Sequence, residues 1–164
     1  MKLGRRTMLA AAVAVAAMAT GCRQQAVVDD GIGIVVTLSP RAAEEMESRD
    51  EQITVSAAWY GAPRPDAVGD VDETGRLALG TRQWLLPGQG GSVDVAPDDR
   101  TRGNYPRVEG PVGVNVNIYS ARKSGPDNLL ACDIIDGDIA SLAGREVAIA
   151  CSLIEEGTPT RHFP

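Results

Sequence analysis

The chain has 164 residues, of which 23% are charged, 4% are aromatic and only one is a histidine, and its formal net charge is −6. An acidic balance argues against nucleic acid as a partner, because both surfaces carry the same sign. A lone histidine rules out a three-histidine zinc centre.

The N-terminus is built in three parts. Lys2, Arg5 and Arg6 form a basic head, an apolar run follows from Met8 to Ala19, and Ala19-Thr20-Gly21-Cys22 closes the segment. The run is shorter than the roughly 20 residues a helix needs to cross a bilayer. It also lacks the polar face of an amphipathic helix. A short apolar stretch behind a basic head has the form of an export signal.

Residues 1–21 are therefore expected to be a cleaved signal peptide, 22–30 a lipidated tether, and 31–164 one folded domain. Ala19-Thr20-Gly21-Cys22 resembles the lipobox of bacterial lipoproteins, in which the cysteine left by cleavage is acylated. That resemblance implies a membrane anchor through acyl chains on Cys22. Arg5-Arg6-Thr7-Met8-Leu9 resembles a twin-arginine signal, which implies export of an already folded protein. Arg23 follows Cys22 where lipoproteins kept in the inner membrane often carry Asp. The resemblance thus favours the outer membrane, with the domain facing the periplasm.

Removing residues 1–21, which hold three basic residues and no acidic one, lowers the net charge from −6 to −9. Two cysteines then remain, Cys132 and Cys151. In an oxidising compartment an even remainder predicts a disulfide.

Beyond the tether, alternation of apolar and polar residues predicts strands. They fall at Ile32 to Leu38, Ile53 to Tyr60, Arg76 to Leu79, Gln83 to Leu86, Ser92 to Ala96, Val112 to Tyr119, Leu129 to Ile135 and Glu146 to Ile154. A short helix is expected after the first of these, capped by Ser39, opened by Pro40 and striped with Ala42, Ala43 and Met46. A single helical turn is expected from Asp138 to Ala143. Residues 61–75 and 97–111 read as long loops, and Gly88-Gln89-Gly90-Gly91 as a turn between strands. Leu130, Cys132 and Ile134 share one strand face, as do Val147, Ile149, Cys151 and Leu153. The fold class is mostly β: an antiparallel β-sandwich, transthyretin-like or immunoglobulin-like.

Groups that carry chemistry are few. His162 lies two residues from the C-terminus, in what reads as a frayed tail. Asp133, Asp136 and Asp138 cluster around Gly137, and Asp70, Asp72 and Glu73 share a loop. Either group offers oxygens to calcium, but neither has the spacing of an EF-hand loop. Aspartates at turns more often accept from their own backbone. The remaining candidate is an outward strand face. Thr54, Ser56 and Tyr60 on one strand and Asn115, Asn117 and Tyr119 on another form one patch only if the two strands are neighbours.

No catalytic, cofactor or metal motif stands out. The leading expectation is a non-enzymatic, lipid-anchored envelope protein that binds or supports an envelope protein or glycan. The alternatives are a carboxylate-based hydrolase acting on an envelope glycan, and a calcium or small-ligand binding module.

Overall fold

A computed structural model describes residues 30–164. The expected signal peptide, its Arg5-Arg6 pair, Cys22 and the tether up to residue 29 lie outside the described residues. Among the described residues no helix is long and apolar enough to cross a membrane.

Chain order begins with strand β1, Ile32–Leu38, whose Ile32, Ile34 and Val36 are buried. Helix α1, Pro40–Ser48, follows at once. The Ser39 hydroxyl accepts the Ala42 N–H at 3.1 Å, proline occupies the first turn, and Ala42 and Met46 face the core. Then come β2, Gln52–Pro63, β3, Leu77–Pro87, and β4, Gly91–Val95. A single-turn helix α2, Asp99–Gly103, leads into β5, Val108–Ser120. The last elements are β6, Leu130–Cys132, β7, Ile134–Asp138, helix α3, Ile139–Leu142, β8, Glu146–Leu153, and β9, His162–Phe163.

The strands form two sheets, one in the order β4-β1-β8-β6 and the other β3-β2-β5-β7-β9. Their inward faces share one hydrophobic cluster. It includes Ile34, Val36 and Ile149 from the first sheet and Val55, Trp59 and Val116 from the second. Trp59 is 1% exposed and is the largest side chain fully enclosed.

The expectation of an antiparallel arrangement is corrected, because both sheets are mixed. β1 runs parallel to β8, with Val36 opposite Ile149, and β7 runs parallel to β9. A hairpin enforces antiparallel pairing only between strands joined by a tight turn. These partners are joined by long excursions, so no such constraint applies.

Strand boundaries also differ, and β2 and β5 extend into the expected loops 61–75 and 97–111. Arg76 to Leu79 and Gln83 to Leu86 belong to one continuous strand, β3, in which Gly80-Thr81-Arg82 keeps the pairing with β2. Leu129 to Ile135 is instead two strands in two sheets, since the chain leaves β6 at Asp133 and joins the other sheet as β7. That crossing shifts the alternation by one residue. Ile135 is fully buried, whereas Ile134, expected to share a face with Cys132, is only half-buried. The C-terminus is not frayed either. His162 is exposed but sits in β9, which the Ile134 N–H···Arg161 carbonyl bond, 2.9 Å, helps hold against β7.

The disulfide forms between Cys132 and Cys151, which stand directly opposite each other on β6 and β8 with Cα atoms 4.0 Å apart. Both are buried, at 6% and 3% exposure.

Candidate functional site

β2 and β5 are neighbours in the five-stranded sheet, so the six outward residues do come together. Thr54 faces Tyr119, Ser56 faces Asn117, and Ala58 faces Asn115. Residues directly opposite on an antiparallel pair have Cβ atoms about 4.5–5.5 Å apart, which makes these rows continuous. β3 extends the rows on one side, with Leu85 beside Thr54, Gln83 beside Ser56 and Thr81 beside Ala58. β7 extends them on the other, with Asp136 beside Asn115 and Asp138 beside Gly113. Local sequence places each residue on its strand, but only the pairing of β2 with β5 makes a surface.

The six are not equally available. Thr54 was expected to face outward into solvent, yet it is 6% exposed. Ser56, Tyr60, Asn115 and Tyr119 are half-buried, and Asn117 is exposed. Among the described residues the side chains of Ser56, Asn115 and Asn117 make no hydrogen bond.

The two tyrosines are held in place. Gln83 Nε2 donates to the Tyr119 hydroxyl at 3.0 Å. The Tyr60 ring leans across Gly113, where a Cβ would come within 2.5 Å of ring carbons, and its hydroxyl donates to Asp136 Oδ1. The Arg76 guanidinium lies over that ring, 4.4 Å from its centre. Burial, reinforced by the hydrogen bond to Asp136 and its charge, raises the Tyr60 phenol above its ordinary pKa. Beside Tyr60 lies a cavity of about 400 Å³, bordered by Arg76, Glu109 and Asp138 and floored by Gly113 and Gly137.

The acidic clusters serve the fold. Asp72 Oδ1 accepts from the Thr74 N–H, the Thr74 hydroxyl and the Arg76 N–H, and the Thr74 bond leads in holding its carboxyl below the usual range. Asp138 caps α3 by accepting the Ala140 N–H at 2.9 Å. Asp136 receives Tyr60. Among the described residues no three metal-ligating side chains converge. The glycine cluster is a turn between β3 and β4, where a side chain at Gly90 would come within 2.5 Å of the Val36 carbonyl.

Three carboxylates are buried, Asp133 of the expected calcium cluster among them, and the sequence shows the burial of none. Asp30, placed by sequence at the end of the tether, is 4% exposed and accepts from the Arg102 guanidinium at 2.8 Å and the Tyr105 hydroxyl at 3.2 Å. Asp133 is 3% exposed and accepts the N–H groups of Ala150 and Arg161 and the Arg161 side chain. Burial pushes its pKa up, but those bonds, led by the Arg161 side chain, bring it below the ordinary value. Glu51 is 4% exposed and accepts from the Gln52, Lys123 and Ser124 N–H groups and the Ser124 hydroxyl, at 2.6–3.0 Å. Asp30 and Glu51 flank apolar runs, where a charged residue reads as a solvated end, and Asp133 interrupts one. Nothing local marks the distant donors that bury it.

A cavity of about 650 Å³ lies between α1 and residues 127–129 and 153–155. Both arginines of its lining pair within it, Arg49 with Glu45 and Arg41 with Glu155. No family model matches the chain, and no curated protein and no solved structure matches it.

Proposed function

We propose that the protein is a non-enzymatic, lipid-anchored envelope component that binds or supports an envelope partner through the outer face of its five-stranded sheet. The observation that carries this reading is the register of β2 on β5, which turns two separate polar stripes into one surface. The lipobox resemblance around Cys22 supports the anchor, and with it a periplasm-facing domain, the outer membrane favoured. The two sheets around one core are read as a sandwich on a transthyretin-like or immunoglobulin-like plan, modified by the two parallel pairs. Such a scaffold transfers no activity by itself.

The test is affinity capture from membranes with the acylated protein, run beside Cys22→Ser and Ser56→Arg. Cys22→Ser is expected to release the protein from the membrane fraction. Ser56→Arg places a long cation in the middle of the face and is expected to abolish capture of the partner. Capture unaffected by Ser56→Arg would sink the reading.

One observation favours a second reading, a carboxylate-based hydrolase: Glu109 and Asp138 border the same cavity. Paired carboxyl groups flanking a glycosidic bond are the usual apparatus for its hydrolysis. Turnover of envelope glycan that disappears in both Glu109→Gln and Asp138→Asn would establish this activity in place of the first reading.

A further inference from the structure

We infer that the partner of this face is an uncharged glycan strand, laid along β2 and β5 from Tyr119 to the cavity beside Tyr60. The inference rests on the reading of the face as a contact surface and names its ligand class. From the Thr54–Tyr119 row to Tyr60 the face runs six residues along β2, roughly 20 Å at about 3.4 Å per residue. That length accommodates several sugar rings end to end.

Charge selects the ligand. In a domain whose surface is acidic overall, the middle of this face carries Ser56, Ala58, Thr81, Gln83, Asn115 and Asn117, and no charged side chain. Charges stand at its borders: Arg76 and Asp136, beside Asn115, are both engaged with Tyr60, and Arg122 lies over the Tyr119 ring, 5.7 Å from its centre. An anionic polymer requires lysines or arginines along its track, and between Arg122 at one end and Arg76 at the other these rows carry none. A tightly bound protein is expected to bury apolar or aromatic anchors in desolvated pockets. Here the large exposed apolar side chain is Leu85, 61% exposed and at the corner of the surface. Hydroxyl-rich sugars instead need neighbouring groups that both donate and accept. A side-chain amide offers both at once, and a serine hydroxyl does the same. Ser56 and Asn117 stand opposite each other with these groups uncommitted among the described residues.

Rigidity favours the same ligand. β2 and β5 are interior strands of the sheet, and Tyr60 is fixed by Gly113, Arg76 and Asp136. A surface already ordered before binding loses little further freedom when a ligand arrives.

The experiment titrates the purified protein with hexamers of β-1,4-linked glucose and of N-acetylglucosamine, following the side-chain amide NMR signals of Asn115 and Asn117. At least one hexamer is expected to shift both signals. Asn117→Ala, at an exposed position, is expected to weaken binding roughly three- to tenfold. Ser56→Arg should abolish it, and Ala148→Arg on the other sheet should leave it unchanged. Binding that survives Ser56→Arg overturns the inference, as does failure of both hexamers to bind at millimolar concentration. In that last case, membrane capture of a protein that Ser56→Arg abolishes would leave the contact-face reading standing, with a protein partner. Capture indifferent to Ser56→Arg would remove both.

Discussion

Glu51 shows how much one carboxylate holds. Burial opposes its ionisation, yet the bonds from Ser124, Gln52 and Lys123 bring its pKa down to about 2. It thereby pins residues 122–124 beside the start of β2, where Asp50 and Arg122 both take left-handed backbone, at φ 50° and 60°. Few residues other than glycine adopt that region without strain. Because the folded pKa lies below the ordinary glutamate value of about 4.3, its stabilisation is complete above that pH. It is lost as pH falls towards about 2, and amounts to roughly 3 kcal/mol. Urea midpoints should therefore show Glu51→Gln less stable at neutral pH by a large part of that amount. Near pH 2 the variant and the parent should converge. Gly113→Ala is a second test at this scale. Its methyl group would occupy the space of the Tyr60 ring and separate Tyr60 from Asp136. Ultraviolet titration should then find the Tyr60 phenol ionising at lower pH than in the parent protein.

Among the elements, the crossing at Asp133 decides the most. β6 ends in one sheet, β7 begins in the other, and the Asp133 carboxylate binds β8 through Ala150 and the C-terminal segment through Arg161. Hydrogen bonds to a charged group contribute about 1.5–3 kcal/mol. Asp133→Ala should cost at least that much in chemical denaturation, and hydrogen exchange should show the β9 amides losing protection before those of β2. Such a crossing was illegible in the sequence, because Leu129 to Ile135 reads as one alternating run and alternation cannot report which sheet a strand joins. The single-residue shift at Asp133 is the only local trace of it. By contrast, the outer stripes of β2 and β5 were legible residue by residue, since each alternates over its own length. What could not be read was their adjacency, which is a property of pairing. The parallel partners β8 and β9 were hidden for the same reason.

For the whole molecule, the Cys132–Cys151 bridge closes a loop of 19 residues and ties the three-residue edge strand β6 to β8. Chain entropy assigns such a loop about 3 kcal/mol. The Cys132→Ser/Cys151→Ser double variant should lose that amount in urea denaturation. Burial of both sulfurs also predicts that thiol reductants cut the bridge only once the domain opens. The parallel seam between β1 and β8 has a consequence in time. β1 lies inside its sheet, with β4 on one side and β8 on the other. Gly33 meets Glu146 only after nearly the whole domain has been synthesised. A topology dominated by such distant pairings folds in milliseconds to seconds rather than microseconds. β1 thus waits on the far side of most of the domain for this partner. A chain truncated before Glu146 would leave one edge of β1 bare, open to pairing with other chains.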